Sequence, residues 1–195
     1  MSKNTKDILK FEQVQPGILR LTLNDPESKN ALSKMMMMQL KNHIFEASSN
    51  ASVKVIIIAA VGEIFCSGHN LKDITEARNN EDDGKAYFLD LFNLCSSLMQ
   101  MIATCSKPVI AEIDGVATAA GCQLVASCDL AIASDSSKFA TPGVNIGLFC
   151  STPMVALSRN VSRKDSLKML LTGDMIDAAE AKRISLINDH VSSKN

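Results

Sequence analysis

The run from Val53 to Val61, Val-Lys-Val-Ile-Ile-Ile-Ala-Ala-Val, is apolar at every position but one. A half-exposed strand alternates polar and apolar side chains, so this run fits a strand covered on both faces. Such strands belong to parallel sheets, whose crossover connections lay helices against them. The rest of the chain must then supply strands to pair with it and helices to cover it.

It does so in a regular order. Leu9 to Val14 and Ile18 to Leu23 alternate and are joined by Gln15-Pro16-Gly17, which predicts a hairpin. Asn24-Asp25-Pro26 breaks the pattern. Ser33 can cap a helix whose buried stripe is Met36, Met37, Leu40, Ile44 and Phe45, ending near Ser48-Ser49-Asn50. After the apolar strand come a loop with Gly62 and Gly68 and a polar stretch, Thr75 to Lys85, expected to be mobile. A longer helix follows, its stripe of Phe88, Leu91, Phe92, Cys95, Leu98, Met99 and Ile102 explained by packing. Val109 to Ile113 predicts a strand, Ala119 to Ser127 a buried helix and Leu130 to Ala133 another strand. Beyond Asn145 the pattern is mainly helical, over Thr152 to Ser158, Ser162 to Leu171 and Asp177 to Ile184, with Ile187 to Val191 as a last strand. No linker or fixed-period repeat divides the 195 residues, so one α/β domain is expected, with a core from about 9 to 191.

Lys and Arg number 20 against 21 Asp and Glu, giving a net charge of -1, so no broad basic field exists for nucleic acid or an anionic membrane. Six cysteines (Cys66, Cys95, Cys105, Cys122, Cys128, Cys150) show no C-x-x-C pair and no metal-like spacing with His43, His69 or His190. Buried reduced thiols, and hence a reducing compartment, are expected. Met1 to Lys10 is polar and mixed in charge, and the first arginine is Arg20, so no transit peptide is visible and the cytoplasm is the expected location. No run reads as long enough to span a bilayer. Met35 to Met38 is an unusual run of four methionines, more simply helix filler than a soft ligand site.

Chemistry enters where strands run into glycine-bearing turns. The first-turn N-H groups of a helix have no intrahelical partner, and the helix dipole favours negative charge there. Strand Val109 to Ile113, the turn Asp114-Gly115-Val116-Ala117-Thr118 and the helix from Ala119 supply such donors, with Ala119-Ala120-Gly121 small enough for close approach. A helix packed tightly on a sheet would need the same residues. A second donor could come from Phe65-Cys66-Ser67-Gly68-His69-Asn70-Leu71-Lys72-Asp73.

These two segments, with Asn24-Asp25-Pro26-Glu27-Ser28-Lys29-Asn30-Ala31-Leu32, resemble the signature segments of the crotonase (enoyl-CoA hydratase/isomerase) family from about Phe11 onward. The resemblance implies a crotonase-like spiral of ββα units. It implies a coenzyme A thioester as ligand, with no permanently bound cofactor, its carbonyl polarised by the backbone N-H groups of His69 and Ala120. Lys29, Ser67, Gly68, His69, Asn70, Leu71 and Lys72 would lie along the coenzyme, the lysines near its phosphates. It also implies a homotrimer and, as an alternative location, the mitochondrion. In relatives the chain continues past the equivalent of Val191 into helices that cap the acyl pocket, so an incomplete cap is expected here.

Two departures stand out. The family's hydratases use two glutamates, and their positions fall on Gln123 and Gly143. An amide orients a ligand but is no base near neutral pH. Hydration is therefore not expected, whereas polarisation by backbone donors survives. Asn145, Cys150, Ser151 and His69 are the polar groups that could take over. Cys66 with His69 is a conceivable nucleophile and base for thioester hydrolysis.

Overall fold

A computed structural model describes residues 7–192. Residues 1–6, part of the N-terminal segment considered above for targeting, lie outside the described residues.

The chain opens with β1 (Leu9–Gln15) and β2 (Ile18–Leu23), an antiparallel hairpin turned at Gly17. Helix α1 (Lys34–Ser49) follows, its N-cap Ser33 accepting from the Met36 N-H. Three units of one plan come next. In the first, β3 (Val55–Ala60) leads to β4 (Ile64–Cys66) and then to α2 (Leu71–Ala77) and α3 (Lys85–Ala103). In the second, β5 (Val109–Ile113) leads to β6 (Val116–Thr118) and α4 (Ala120–Ser127). In the third, β7 (Leu130–Ser134) leads to β8 (Lys138–Ala140), a short 3-10 segment (Pro142–Ile146), α5 (Ser151–Asn160) and α6 (Arg163–Thr172). The two-residue β9 (Ile176–Asp177), α7 (Ala178–Arg183) and β10 (Asp189–Val191) complete the described chain.

The first strand of each unit joins a six-stranded sheet, β1-β2-β3-β5-β7-β10, parallel except for the hairpin. The second joins a four-stranded sheet, β4-β6-β8-β9. Each turn of the spiral thus lays one strand in each sheet and closes with helices, the ββα repeat that the resemblance implies. The core lies inside this spiral: Leu21, Leu23, Ile56, Ile58, Val109, Ala111 and Ala131 from the large sheet pack with Leu40 and Ile44 of α1, Leu98 of α3 and Leu124 of α4.

Several expectations need correction. The apolar strand is covered fully on one face only. Val55 and Ile57, on the other, are half-buried, and Arg20 pairs with Glu112 across the strand, Nη1 to Oε2 at 2.7 Å. The arginine stem supplies cover there while its charged head meets a carboxylate. The second sheet was invisible because three-residue strands carry no readable period. Part of the polar stretch is helical, since Asn70 caps α2 through its side chain, 3.0 Å from the Lys72 N-H. Phe45 lies outside the α1 stripe, 64% exposed. The methionine run splits, with Met36 and Met37 buried and Met35 and Met38 exposed. Helix α3 is, by length and composition, apolar enough to cross a membrane, contrary to the expectation from the sequence. Its polar residues interrupt the run, which hid its overall hydropathy, and its apolar stripe packs in the core.

Candidate functional site

The loop after β4 and the start of α4 meet through backbone. A Cβ added to Gly68, whose φ is +90, would lie 3.0 Å from the Ala120 nitrogen and 3.1 Å from the Thr118 carbonyl. A Cβ on Gly121 would lie 2.1 Å from the Cys66 carbonyl. Glycine at both positions is what allows α4 to sit directly on β4. Thr118 Oγ1 donates to the Ser67 carbonyl at 3.1 Å, tying β6 to the same loop.

The turn before α1 is stitched on from the other side. The Ser67 N-H donates to the Lys29 carbonyl at 3.2 Å and the Leu32 N-H to the Gly68 carbonyl at 2.8 Å. Asn30, fully buried at φ +50, accepts from the Asp25 N-H and donates to the Val61 and Ile64 carbonyls at 2.9 and 2.7 Å. The structure therefore brings together Lys29, Ser67, Gly68, His69, Asn70, Leu71 and Lys72 with Ala120, as the sequence grouped them. Lys29, Leu71 and Lys72 are exposed, and the Asn70 side chain is occupied in capping α2.

Helix α4 begins at a non-glycine residue with positive φ. Its N-cap is Ala119, at φ +51 and ψ -120, and no side chain caps it. A non-glycine residue held in that region costs roughly 1–3 kcal/mol and persists where surrounding structure demands it. The Ala119 N-H is fixed by the Ala140 carbonyl at 3.0 Å. Among the described residues neither the Ala120 N-H nor the His69 N-H has a hydrogen-bond partner. Ala120 is buried, which leaves its N-H among the few donors with no acceptor within the described chain.

Three side-chain atoms nearby in the chain path are also buried without partners: His69 Nε2, Gln123 Oε1 and Thr141 Oγ1. Gln123 is one turn beyond Ala120, and Thr141 follows the carbonyl that holds Ala119. His69 Nδ1 lies 3.3 Å from the Leu32 carbonyl, its ring meets Phe92 edge-on at 5.6 Å, and burial lowers its pKa, favouring neutral imidazole. Phe92 is 42% exposed, so the α3 stripe misplaces it in the core. Cys66 is fully buried and burial pushes its thiol up to about 12, so it does not serve as the nucleophile of a hydrolase. All six cysteines are free thiols.

The Gly143 position is filled. A Cβ there would meet the Leu148 carbonyl at 2.5 Å and Cys150 Sγ at 2.7 Å, and the Leu148 N-H donates to the Gly143 carbonyl at 2.9 Å. Asn145 and Ser151 are exposed, whereas Cys150 closes on Gly143. Along α4 a cavity of about 530 Å3 opens between α3, α4 and α5, with Gln123 in its wall. Sequence reasoning missed Asn30, Thr118, Thr141 and Phe92 as individuals. Only Asn30 carried a signal, as a residue type tolerant of positive φ within a turn.

Residues 13–195 match the family described as enoyl-CoA hydratase/isomerase. The chain belongs to that family. It is 51% identical over 183 residues to enoyl-CoA hydratase domain-containing protein 3, mitochondrial, of Xenopus laevis, covering 94% of this chain and 60% of that relative. The crystal structure of human enoyl coenzyme A hydratase domain-containing protein 3 superposes with a TM-score of 0.88 at 47% identity, over 95% of this chain and 71% of that one. An enoyl-CoA hydratase structure from Mycobacterium smegmatis gives 0.87 at 44% identity, over 95% of this chain and 70% of that one. The crotonase-like spiral and the membership read from the sequence are thus shown, and the chain spans about 60% of the length of the Xenopus relative.

Proposed function

We propose that this chain binds a coenzyme A thioester, seats the acyl carbonyl between the N-H groups of His69 and Ala120, and polarises it without hydrating a double bond. The observation that carries this is the contact of Gly68 with the first turn of α4: the N-H of the next residue, His69, and the N-H of Ala120 both stand unpaired among the described residues. A carbonyl oxygen accepting both gains charge stabilisation from the uncapped helix start. Removing one such donor costs about 3–4 kcal/mol of transition-state stabilisation in comparable sites.

Lys29 and Lys72 flank the stitched loops as exposed cations and are the proposed phosphate contacts, with Ser67 to Leu71 along the nucleotide. Gln123 offers an acceptor but no base, and the Gly143 position has no room for a carboxylate as it stands. The role is accordingly one in fatty-acid or other acyl-CoA metabolism that needs carbonyl binding, with or without a reaction. That enoyl-CoA hydratase domain-containing protein 3 is mitochondrial by name in Xenopus laevis and human supports the mitochondrial alternative over the cytoplasm.

Calorimetric titration with acetyl-CoA and crotonyl-CoA is expected to give saturable heat. No heat at millimolar ligand from folded protein would overturn the binding proposal. Loss of the conjugated thioester absorbance of crotonyl-CoA at an ordinary enzymatic rate would overturn the claim about hydration.

A further inference from the structure

The cavity between α3, α4 and α5 has the volume of a small-molecule site, about 530 Å3. A pocket for plain hydrocarbon would be lined by aliphatic side chains. This one sets Ser96, Gln100, Gln123, Thr152 and Arg159 among Met99, Val155 and three alanines. Two of its polar groups lack partners of their own kind. Gln123 Oε1 is buried with no donor, the residue being 5% exposed. Among the described residues Arg159 forms no ion pair, and Nη1 makes only a long bond to the Val155 carbonyl, 3.4 Å. The anion on the same wall, Asp129, is engaged through Oδ2 with the Val109 N-H at 2.8 Å.

The cavity lies along α4 from Gln123, one turn beyond Ala120, to Ser127. Asn160 Nδ2 donates to the Ala126 carbonyl at 2.8 Å, pinning the end of α5 to the second turn of α4. Arg159 therefore stands alongside a point six residues beyond Ala120, about 9 Å along the helix axis. An extended chain of about six to eight carbons spans such a distance at ordinary carbon–carbon bond lengths.

We infer that the acyl group received here ends in a carboxylate, bound by Arg159 while the thioester carbonyl sits at the first turn of α4. The inference rests on the thioester reading above and adds the class of acyl group. Guanidinium and carboxylate match in charge and can pair by two parallel hydrogen bonds. Ser96, Gln100, Gln123 and Thr152 make part of the cavity wall polar, which disfavours an all-hydrocarbon tail.

Titration of the whole chain with adipoyl-CoA and hexanoyl-CoA tests it, since the two ligands differ only at the far end. Adipoyl-CoA is expected to bind about tenfold tighter at low salt, with the preference shrinking as salt rises. Arg159 is exposed, so Arg159→Met is expected to fold and to bring the two affinities together. Equal affinities in the parent protein, or a preference that persists in Arg159→Met, would overturn the inference alone. Binding of neither ligand would overturn the thioester reading with it.

Discussion

The loop Cys66 to His69 meets α4 through backbone, with glycine at each close approach, and leaves two N-H groups unpaired. The segment Gly143 to Cys150 closes on itself, the Gly143 carbonyl accepting from Leu148 and the Cys150 sulfur filling the space of a side chain. The two segments respond oppositely to sequence change. A donor supplied by the main chain is indifferent to which side chain hangs from it, provided the glycines that permit the approach remain. A donor or base supplied by a side chain vanishes with one substitution, and the vacated volume is refilled.

The largest expected effect lies on the backbone side. Gly121→Val places a branched side chain where even a Cβ lies 2.1 Å from the Cys66 carbonyl, so α4 must move off β4. Urea unfolding is expected to show a loss of about 3 kcal/mol. The counterpart Gly143→Ala meets an exposed loop that can shift and is expected to cost less than half of that. Equal costs would break the contrast between a rigid and a refillable side.

Next in size is Asn30→Ala, which leaves the Val61 and Ile64 carbonyls without their side-chain donor. About 2 kcal/mol of stability should be lost, and thioester affinity should fall with it, because Asn30 holds the turn that braces Gly68. An unchanged affinity would show that the loop keeps its place without that brace.

Gln123→Glu puts a carboxyl in a buried site, where burial raises its pKa above the ordinary Glu value of about 4.3. The unfolded chain releases the proton first, so stability matches the parent below that value and falls by about 1–2 kcal/mol as the pH rises toward the folded pKa. Thermal unfolding from pH 4 to 8 reads this directly. A flat profile relative to the parent would mean that the cavity is wet enough to solvate the charge.

The smallest expected effect concerns His69, whose pKa burial holds below the ordinary 6.5. Below pH 6.5 the unfolded chain binds the proton that the folded chain refuses, so stability is lost as pH falls through that value. His69→Leu should flatten this acid slope in thermal unfolding from about pH 5 to 8 while its backbone N-H, and so acyl-CoA binding, persists.

Much of this was legible in the sequence, and the reasons are particular. The apolar run from Val53 disclosed a parallel sheet, and the stripes of α1 and α3 disclosed their packing except at the aromatic residues. Phe45 and Phe92 sit at stripe edges, where periodicity cannot tell a buried ring from one turned to solvent or onto His69. The grouping of Lys29, Ser67 to Lys72 and Ala120 was readable as motifs. What stitches them was not, because Asn30 and Thr118 act through single hydrogen bonds to carbonyls far along the chain. The refilled space at Gly143 was equally hidden, being made by Leu148 and Cys150 from a turn with no pattern of its own.

The split methionine run carries a consequence for oxidants. Met35 and Met38, 55% and 51% exposed, offer their sulfurs to peroxide in the folded chain, while Met36 and Met37 are shut inside the core. Sulfoxide on the outer pair adds polarity where water already is, and sulfoxide on the inner pair requires the helix to come away from the sheet. Four adjacent thioethers of one chemistry thus make a graded reporter, the outer two recording exposure to oxidant and the inner two recording how often the core opens.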